Sequence, residues 1–209
     1  MADAGAIAGL DVAGSAASPR VGPNAIIRVA EALAEEHGED MARAVFASAG
    51  LSGWLDHPPG AMVPEADIAA LHRALIAHLS EPEARGVAAS AGRRTAAYLL
   101  ANRIPRLVQV ILKLLPAAPA ARILLRAIGK HAWTFVGSGS FAVAHGPPVV
   151  VTITGGPLRA AGPAAAGVAA YYAATFEALF RALVHPRTTV AALRRATEAT
   201  ASCAFSLSW

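Results

Sequence analysis

The sequence predicts an α+β fold in which N-terminal helices pack on a small antiparallel sheet. From Gly22 to about Gly129 apolar residues recur at helical spacing between Pro and Gly breaks, and from Ala132 the period falls from about 3.6 to about 2. The closing Cys203–Trp209 stretch also alternates, with Cys203, Phe205, Leu207 and Trp209 on one face and Ala204, Ser206 and Ser208 on the other. Helices first and strands after, instead of strictly interleaved, is the order of an α+β chain. The 209 residues suit one domain with a full core, expected over 21–209. Residues 1–20, rich in Ala, Gly and Ser, read as a disordered lead-in.

Gly22-Pro23-Asn24 opens the first helix, with Ile26, Ile27, Val29, Ala30 and Leu33 as its apolar stripe and Gly38 as its stop. Asp40 caps a second helix through Phe46 to about Ala49. Leu51–Gly60 is a loop holding Trp54 and Pro58-Pro59. Pro64 opens a third helix striped by Ile68, Leu71, Leu75 and Leu79. Ser80-Glu81-Pro82-Glu83 has capping-box spacing and starts a long helix to about Asn102, softened by Gly86 and Gly92. Pro105 begins another helix, and Pro116 and Pro119 one more. Three strands are then expected at Ala132–Val136, Phe141–His145 and Val149–Thr154, joined by Gly137-Ser138-Gly139 and Gly146-Pro147-Pro148 turns. A helix from Pro163 to about Val184, with Glu177 and Arg181 as an i,i+4 pair, leads into a C-terminal hairpin.

Charge is divided along the chain. The first 83 residues carry 12 acids and 4 bases, the other 126 carry 2 acids and 14 bases, and no acid lies between Glu83 and Glu177. That acid-free window is also strongly apolar, which suits a flat, anionic, apolar ligand. Charge neutralisation between the two parts across the fold is the simpler alternative. A single cysteine, Cys203, excludes an intrachain disulfide framework and fits a reducing compartment. The N-terminus shows no signal-peptide pattern, and no apolar run reaches the ~18–20 residues of a membrane span. A cytoplasmic protein is expected, with peripheral contact to a membrane left open.

No catalytic constellation stands out. Gly137-Ser138-Gly139 lacks the third glycine of a dinucleotide turn, and Gly129-Lys130 is followed by His131 where a P-loop needs Ser or Thr. One cysteine cannot hold an iron–sulfur cluster. The best binding cluster is Lys130-His131-Ala132-Trp133-Thr134-Phe135: an imidazole for a metal held in a macrocycle, flat aromatic area, and nearby cations for carboxylates. Ordinary core aromatics with a helix-capping His131 explain the same residues. Arg93, Arg94, Arg103 and Arg106 read as a carboxylate clamp or as a solvated face. Tyr171, Tyr172 and Phe176 read as core or pocket lining, and His145 as a core or rim histidine alternating with Phe141 and Val143. Leu107, Val110, Ile111, Leu114 and Leu115 make a broad apolar face beside Arg106 and Lys113. It suits core packing or a basic amphipathic helix on an anionic membrane. The aromatics sit in core-like stripes, so nucleic acid is not an expected partner.

Several stretches together resemble the BchJ-type vinyl-4-reductase domain family of bacteriochlorophyll synthesis. They are Gly22-Pro23-Asn24-Ala25-Ile26-Ile27, Ala91-Gly92 through Thr95, Tyr98-Leu99-Leu100-Ala101-Asn102-Arg103-Ile104-Pro105, His131–Phe135, Phe176–Arg181 and Cys203–Trp209. The resemblance runs in order from about residue 21 to the end. It implies a Bet3-like fold, often dimeric, and a role in the magnesium branch of tetrapyrrole synthesis. The family name implies reduction of the 8-vinyl group (4-vinyl in older numbering) of divinyl protochlorophyllide. Such a reduction draws its hydride from a cofactor, and the residues show no cofactor motif. The expectation is therefore a carrier that has no cofactor of its own. It binds magnesium protoporphyrin or a protochlorophyllide-type tetrapyrrole and presents it to magnesium chelatase or methyltransferase subunits. The alternatives are the 8-vinyl reductase itself and a ligand-free docking subunit. The expected ligand-binding residues are His131 (axial to the tetrapyrrole magnesium), Trp133, Phe135, Arg94, Tyr98, Arg103, Arg106, Tyr171 and Phe176. A homodimer and contact with the photosynthetic membrane are compatible with this reading.

Overall fold

The computed structural model describes residues 18–193 and 201–209. Most of the expected lead-in lies outside those residues. Strand β1 (Arg20–Val21) pairs antiparallel with β2 (Val63–Pro64), Val21 opposite Val63. Helix α1 (Asn24–His37) follows, burying Ile26, Val29, Ala32 and Leu33, and α2 (Glu39–Ser48) packs on it. The loop at 51–60 contains one helical turn, α3 (Gly53–Asp56). Helix α4 (Glu65–His78) turns Ile68, Leu71 and Leu75 inward.

Helix α5 (Glu81–Asn102) begins at the expected capping box. Ser80 Oγ accepts from the Glu83 amide at 3.5 Å and Glu83 Oε2 accepts from the Ser80 amide at 2.9 Å. This helix is the centre of the molecule, with α1 against one side and α10 (Ala165–Leu183) against another. Apart from Val87 its buried positions are small: Ala84, Ala88, Ser90, Ala91, Gly92, Thr95 and Ala96. Small side chains let helix backbones approach, and at Gly92 the approach is closest. A Cβ there would collide with the Tyr171 carbonyl oxygen of α10 and lie 3.1 Å from the Ala174 Cβ. Thr175 Oγ1 donates to the Tyr171 carbonyl at 2.8 Å and reaches the Gly92 carbonyl at 3.1 Å. The buried Tyr171 and Thr95 hydroxyls share a hydrogen bond of 2.7 Å. Loss of solvent pushes the Tyr171 phenol up to about 12, so it stays protonated at neutral pH.

Helices α6 (Arg106–Leu114) and α7 (Ala117–Lys130) follow Pro105 and Pro116, as the breaks predict. The next expectation fails. Ala132–Val136 is not a strand: Trp133–Val136 is a helical turn, α8, and Trp133 and Phe135 do not share a strand face. Thr134 and Phe135 amides donate back to the His131 and Ala132 carbonyls, and Thr134 Oγ1 also donates to the His131 carbonyl at 2.7 Å. Local bonds thus satisfy the backbone that a ladder would have used. Gly137, at φ +57, ends the turn in a conformation that β-branched residues avoid.

The four-stranded antiparallel sheet has the order β3 (Ser140–Ala144), β4 (Val149–Thr154), β6 (Ser202–Ser208), β5 (Thr189–Ala192). Val151 stands opposite Phe205, and Val190 opposite Leu207. Val149, Val151, Ile153, Cys203, Phe205 and Leu207 form its buried face. The short helix α9 (Gly156–Ala161) and a 3₁₀ turn lead into α10, where Glu177 and Arg181 pair at 3.0 Å. The fold is therefore α+β, with one core cluster running from Val21 to Leu207.

His72 of α4 is 3% exposed, and burial pulls its imidazole down from the ordinary 6.5 to about 4. Above pH 6.5 it is neutral in both folded and unfolded chains. As pH falls from about 6.5 to about 4 the unfolded chain takes up the proton first, so stability drops, by about 3 kcal/mol in full. A His72→Gln variant should lack that slope, which urea unfolding at pH 7 and pH 4 would measure.

A basic groove between α7 and the β3–β4 hairpin

Helix α7 turns Leu124 and Leu125 inward and leaves Arg122, Arg126 and Lys130 exposed at i, i+4 and i+8. Opposite them runs β3, an edge strand whose half-buried residues are Phe141 and Val143, with His145 exposed just beyond it. Between these walls lie two adjoining lobes of about 570 and 370 Å³, both lined by Arg122, Leu125 and His145. The larger continues past Pro147 and Pro148 to Leu207 and Trp209, and the smaller past Arg126 to Phe141 and Val143. Volumes of this size are those of small-molecule sites.

The groove rests on an aromatic cluster. Phe141 lies edge-on to Phe135 at 5.8 Å and 6.4 Å from Phe176, and Phe176 lies 5.8 Å from Phe205. Trp209 stacks on Phe180 at 6.3 Å, which fixes its indole at the far end. Among the described residues neither Arg122 nor Arg126 has an ion-pair partner. The groove can therefore present two planar guanidinium forks to carboxylates, one imidazole, and flat apolar surface between them.

The residues expected from sequence fall in three other places. His131 caps the end of α7 and is exposed, as is Trp133 at 61%, and neither lines this groove. Tyr171 and Phe176 belong to the core, and the half-buried Phe135 packs against it. Phe135 accepts a 2.7 Å hydrogen bond from the Tyr172 hydroxyl through its carbonyl. Arg94 and Tyr98 lie along α5, and Arg103 and Arg106 stand at its turn into α6. Arg94 is engaged by Glu35 of α1, and Arg28 and Arg103 lie 5.0 and 5.9 Å from the centre of the Tyr98 ring. Neither lobe of the groove is lined by His131, Trp133, Arg94, Arg103 or Arg106. Sequence reasoning passed over Arg122, Arg126 and Trp209 as ligand groups. Their signal was present: an i,i+4 arginine pair inside the acid-free window, facing the alternating Phe141, Val143 and His145.

Among the described residues no group of three or more His, Cys, Asp or Glu side chains could hold a metal ion, and no helix is long and apolar enough to cross a membrane. No protein-family model matches the chain. It is 38% identical over 194 residues to the bacteriochlorophyll synthase 23 kDa chain of Cereibacter sphaeroides, covering 93% of this chain and 93% of that one. It is 39% identical over 189 residues to the bacteriochlorophyll synthase 23 kDa chain of Rhodobacter capsulatus, covering 90% of this chain and 87% of that one. Similarity of this extent, over most of both chains, shows the family: the chain belongs to the bacteriochlorophyll synthase 23 kDa chain family.

Proposed function

We propose that this protein serves bacteriochlorophyll biosynthesis by holding a magnesium tetrapyrrole in the α7–β3 groove and presenting it to the enzymes that act on it. The observation that carries the reading is the groove's composition. Arg122 and Arg126 are free of acidic partners among the described residues, and they stand across from His145 over an aromatic floor. Two arginines suit the two carboxylate tails of a protoporphyrin. His145 on the groove wall supports the same reading, since an imidazole would suit a magnesium carried inside the macrocycle. The chain would bind and orient the pigment, while the chemistry belongs to partners of the magnesium chelatase or methyltransferase type. A Bet3-like arrangement of the fold is part of the same reading, implied by the resemblance to the vinyl-4-reductase family.

Titration with magnesium protoporphyrin, followed at the Soret band, tests this directly. The expected result is saturable binding with a shifted band. His145→Ala should reverse the shift, while His131→Ala should bind as the parent does. An unchanged spectrum in the parent protein would remove the proposal. Turnover of divinyl protochlorophyllide by the protein alone, with NADPH or reduced ferredoxin, would replace the carrier with the 8-vinyl reductase.

A further inference from the structure

Helix α6 is amphipathic in the reverse sense to a core helix. Its inward side is held by Leu112, which is 2% exposed, and by Gln109, whose Nε2 donates to the Leu100 and Ile104 carbonyls at 2.6 and 2.8 Å. The opposite side carries Leu107, Val110, Ile111 and Leu114, which are 70%, 53%, 49% and 80% exposed. At about 100° per residue these four fall within one arc roughly 100° wide. Arg106 and Lys113 border that arc, and Arg103 stands just before the helix. None of the three is in an ion pair among the described residues, and no acid occurs between Glu83 and Glu177.

From this face we infer that α6 docks the protein on an anionic lipid surface, lying in the plane of the headgroups with its leucines among the acyl chains. Nine residues make a rod of about 13 Å, which suits an interfacial helix and not a spanning one. The charge pattern chooses lipid over a second copy of this chain. A two-fold self-contact through α6 sets Arg106 and Lys113 against their own counterparts with no acid on the helix to relieve them. Anionic headgroups complement the same cations. The docking stands apart from the tetrapyrrole reading, since α6 residues do not line the groove.

The test is co-sedimentation of the full, pigment-free chain with vesicles of phosphatidylcholine alone and of phosphatidylcholine mixed with phosphatidylglycerol. Binding should require the anionic lipid and weaken as salt shortens the screening length. Arg106→Gln with Lys113→Gln should reduce partitioning roughly thirtyfold. Leu107→Gln with Leu114→Gln should reduce it at least about tenfold, with an unchanged circular dichroism spectrum because both leucines are already exposed. The inference is overturned by no binding to anionic vesicles, or by undiminished binding of the leucine variant. It is also overturned by a concentration-dependent dimer that the leucine variant dissociates, which would assign the face to a second copy.

Discussion

A chain carrying both Arg122→Gln and Arg126→Gln should bind magnesium protoporphyrin roughly a hundredfold more weakly than the parent. Each arginine can give a charge-assisted hydrogen bond to a carboxylate, at about 1.5–3 kcal/mol apiece. Both guanidinium groups are on an exposed rim, so the lower end of that range applies, about 3 kcal/mol for the pair, and each 1.4 kcal/mol is a factor of ten. Stability should barely move, because the replaced side chains are solvent-facing and glutamine is a good helix residue. Soret titration of the double variant beside Arg94→Gln separates two locations. Loss in the first and retention in the second favours the groove, where no acid among the described residues pairs with the arginines. The reverse pattern would put the ligand beside Arg94 on α5 and sink the groove assignment. Arg94 is a poor clamp on physical grounds, since Glu35 already holds it.

The largest loss of stability should come from Gly92→Val. The new side chain meets the Tyr171 carbonyl, the Ala174 methyl and the Thr175 hydroxyl, so α5 and α10 must separate. Overpacking of this kind costs about 1–3 kcal/mol. Separation also strains the Thr175–Gly92 and Thr95–Tyr171 hydrogen bonds, each worth about 1 kcal/mol when buried. A fall of about 3–5 kcal/mol in urea unfolding is the expected result. Gly86 in the same helix gives the opposite sign. A Cβ there meets nothing within 4 Å, so Gly86→Ala should stabilise by about 0.5–1 kcal/mol. A Gly92→Val protein of unchanged midpoint would show that the α5–α10 seam yields more than its geometry allows.

Those two glycines mark what a sequence can express about this fold. Both read alike as soft points in a long helix, because composition reports the missing side chain but not what lies opposite. The helix starts were legible where chemistry is local: the Ser80 capping box and the prolines at 105 and 116 act within one turn. The turn at Trp133–Val136 was not, because aromatic and β-branched residues in a four-residue run fit either backbone, and here the backbone bonds back to His131 and Ala132. The charge split was readable as a pattern, yet only the structure separates Arg94, spent on Glu35, from Arg122 and Arg126. The groove escaped for a similar reason. Its walls come from α7, the β3–β4 hairpin and the final strand, and the distance between α7 and Trp209 along the chain hides their proximity.

Strand β6 lies between β4 and β5 although it is the last of the four to be made. The emerging polypeptide therefore holds α7 and the β3–β4 hairpin for some time with β4 unpaired on one edge. Leu207 and Trp209, which close the far end of the larger lobe, arrive after α7 and the hairpin. Contacts that join such distant positions form slowly and late in folding. On the proposal that the groove holds the pigment, capture requires β6 to be in place, and a ribosome-bound chain stalled before residue 202 should fold its helices yet be blind to the tetrapyrrole.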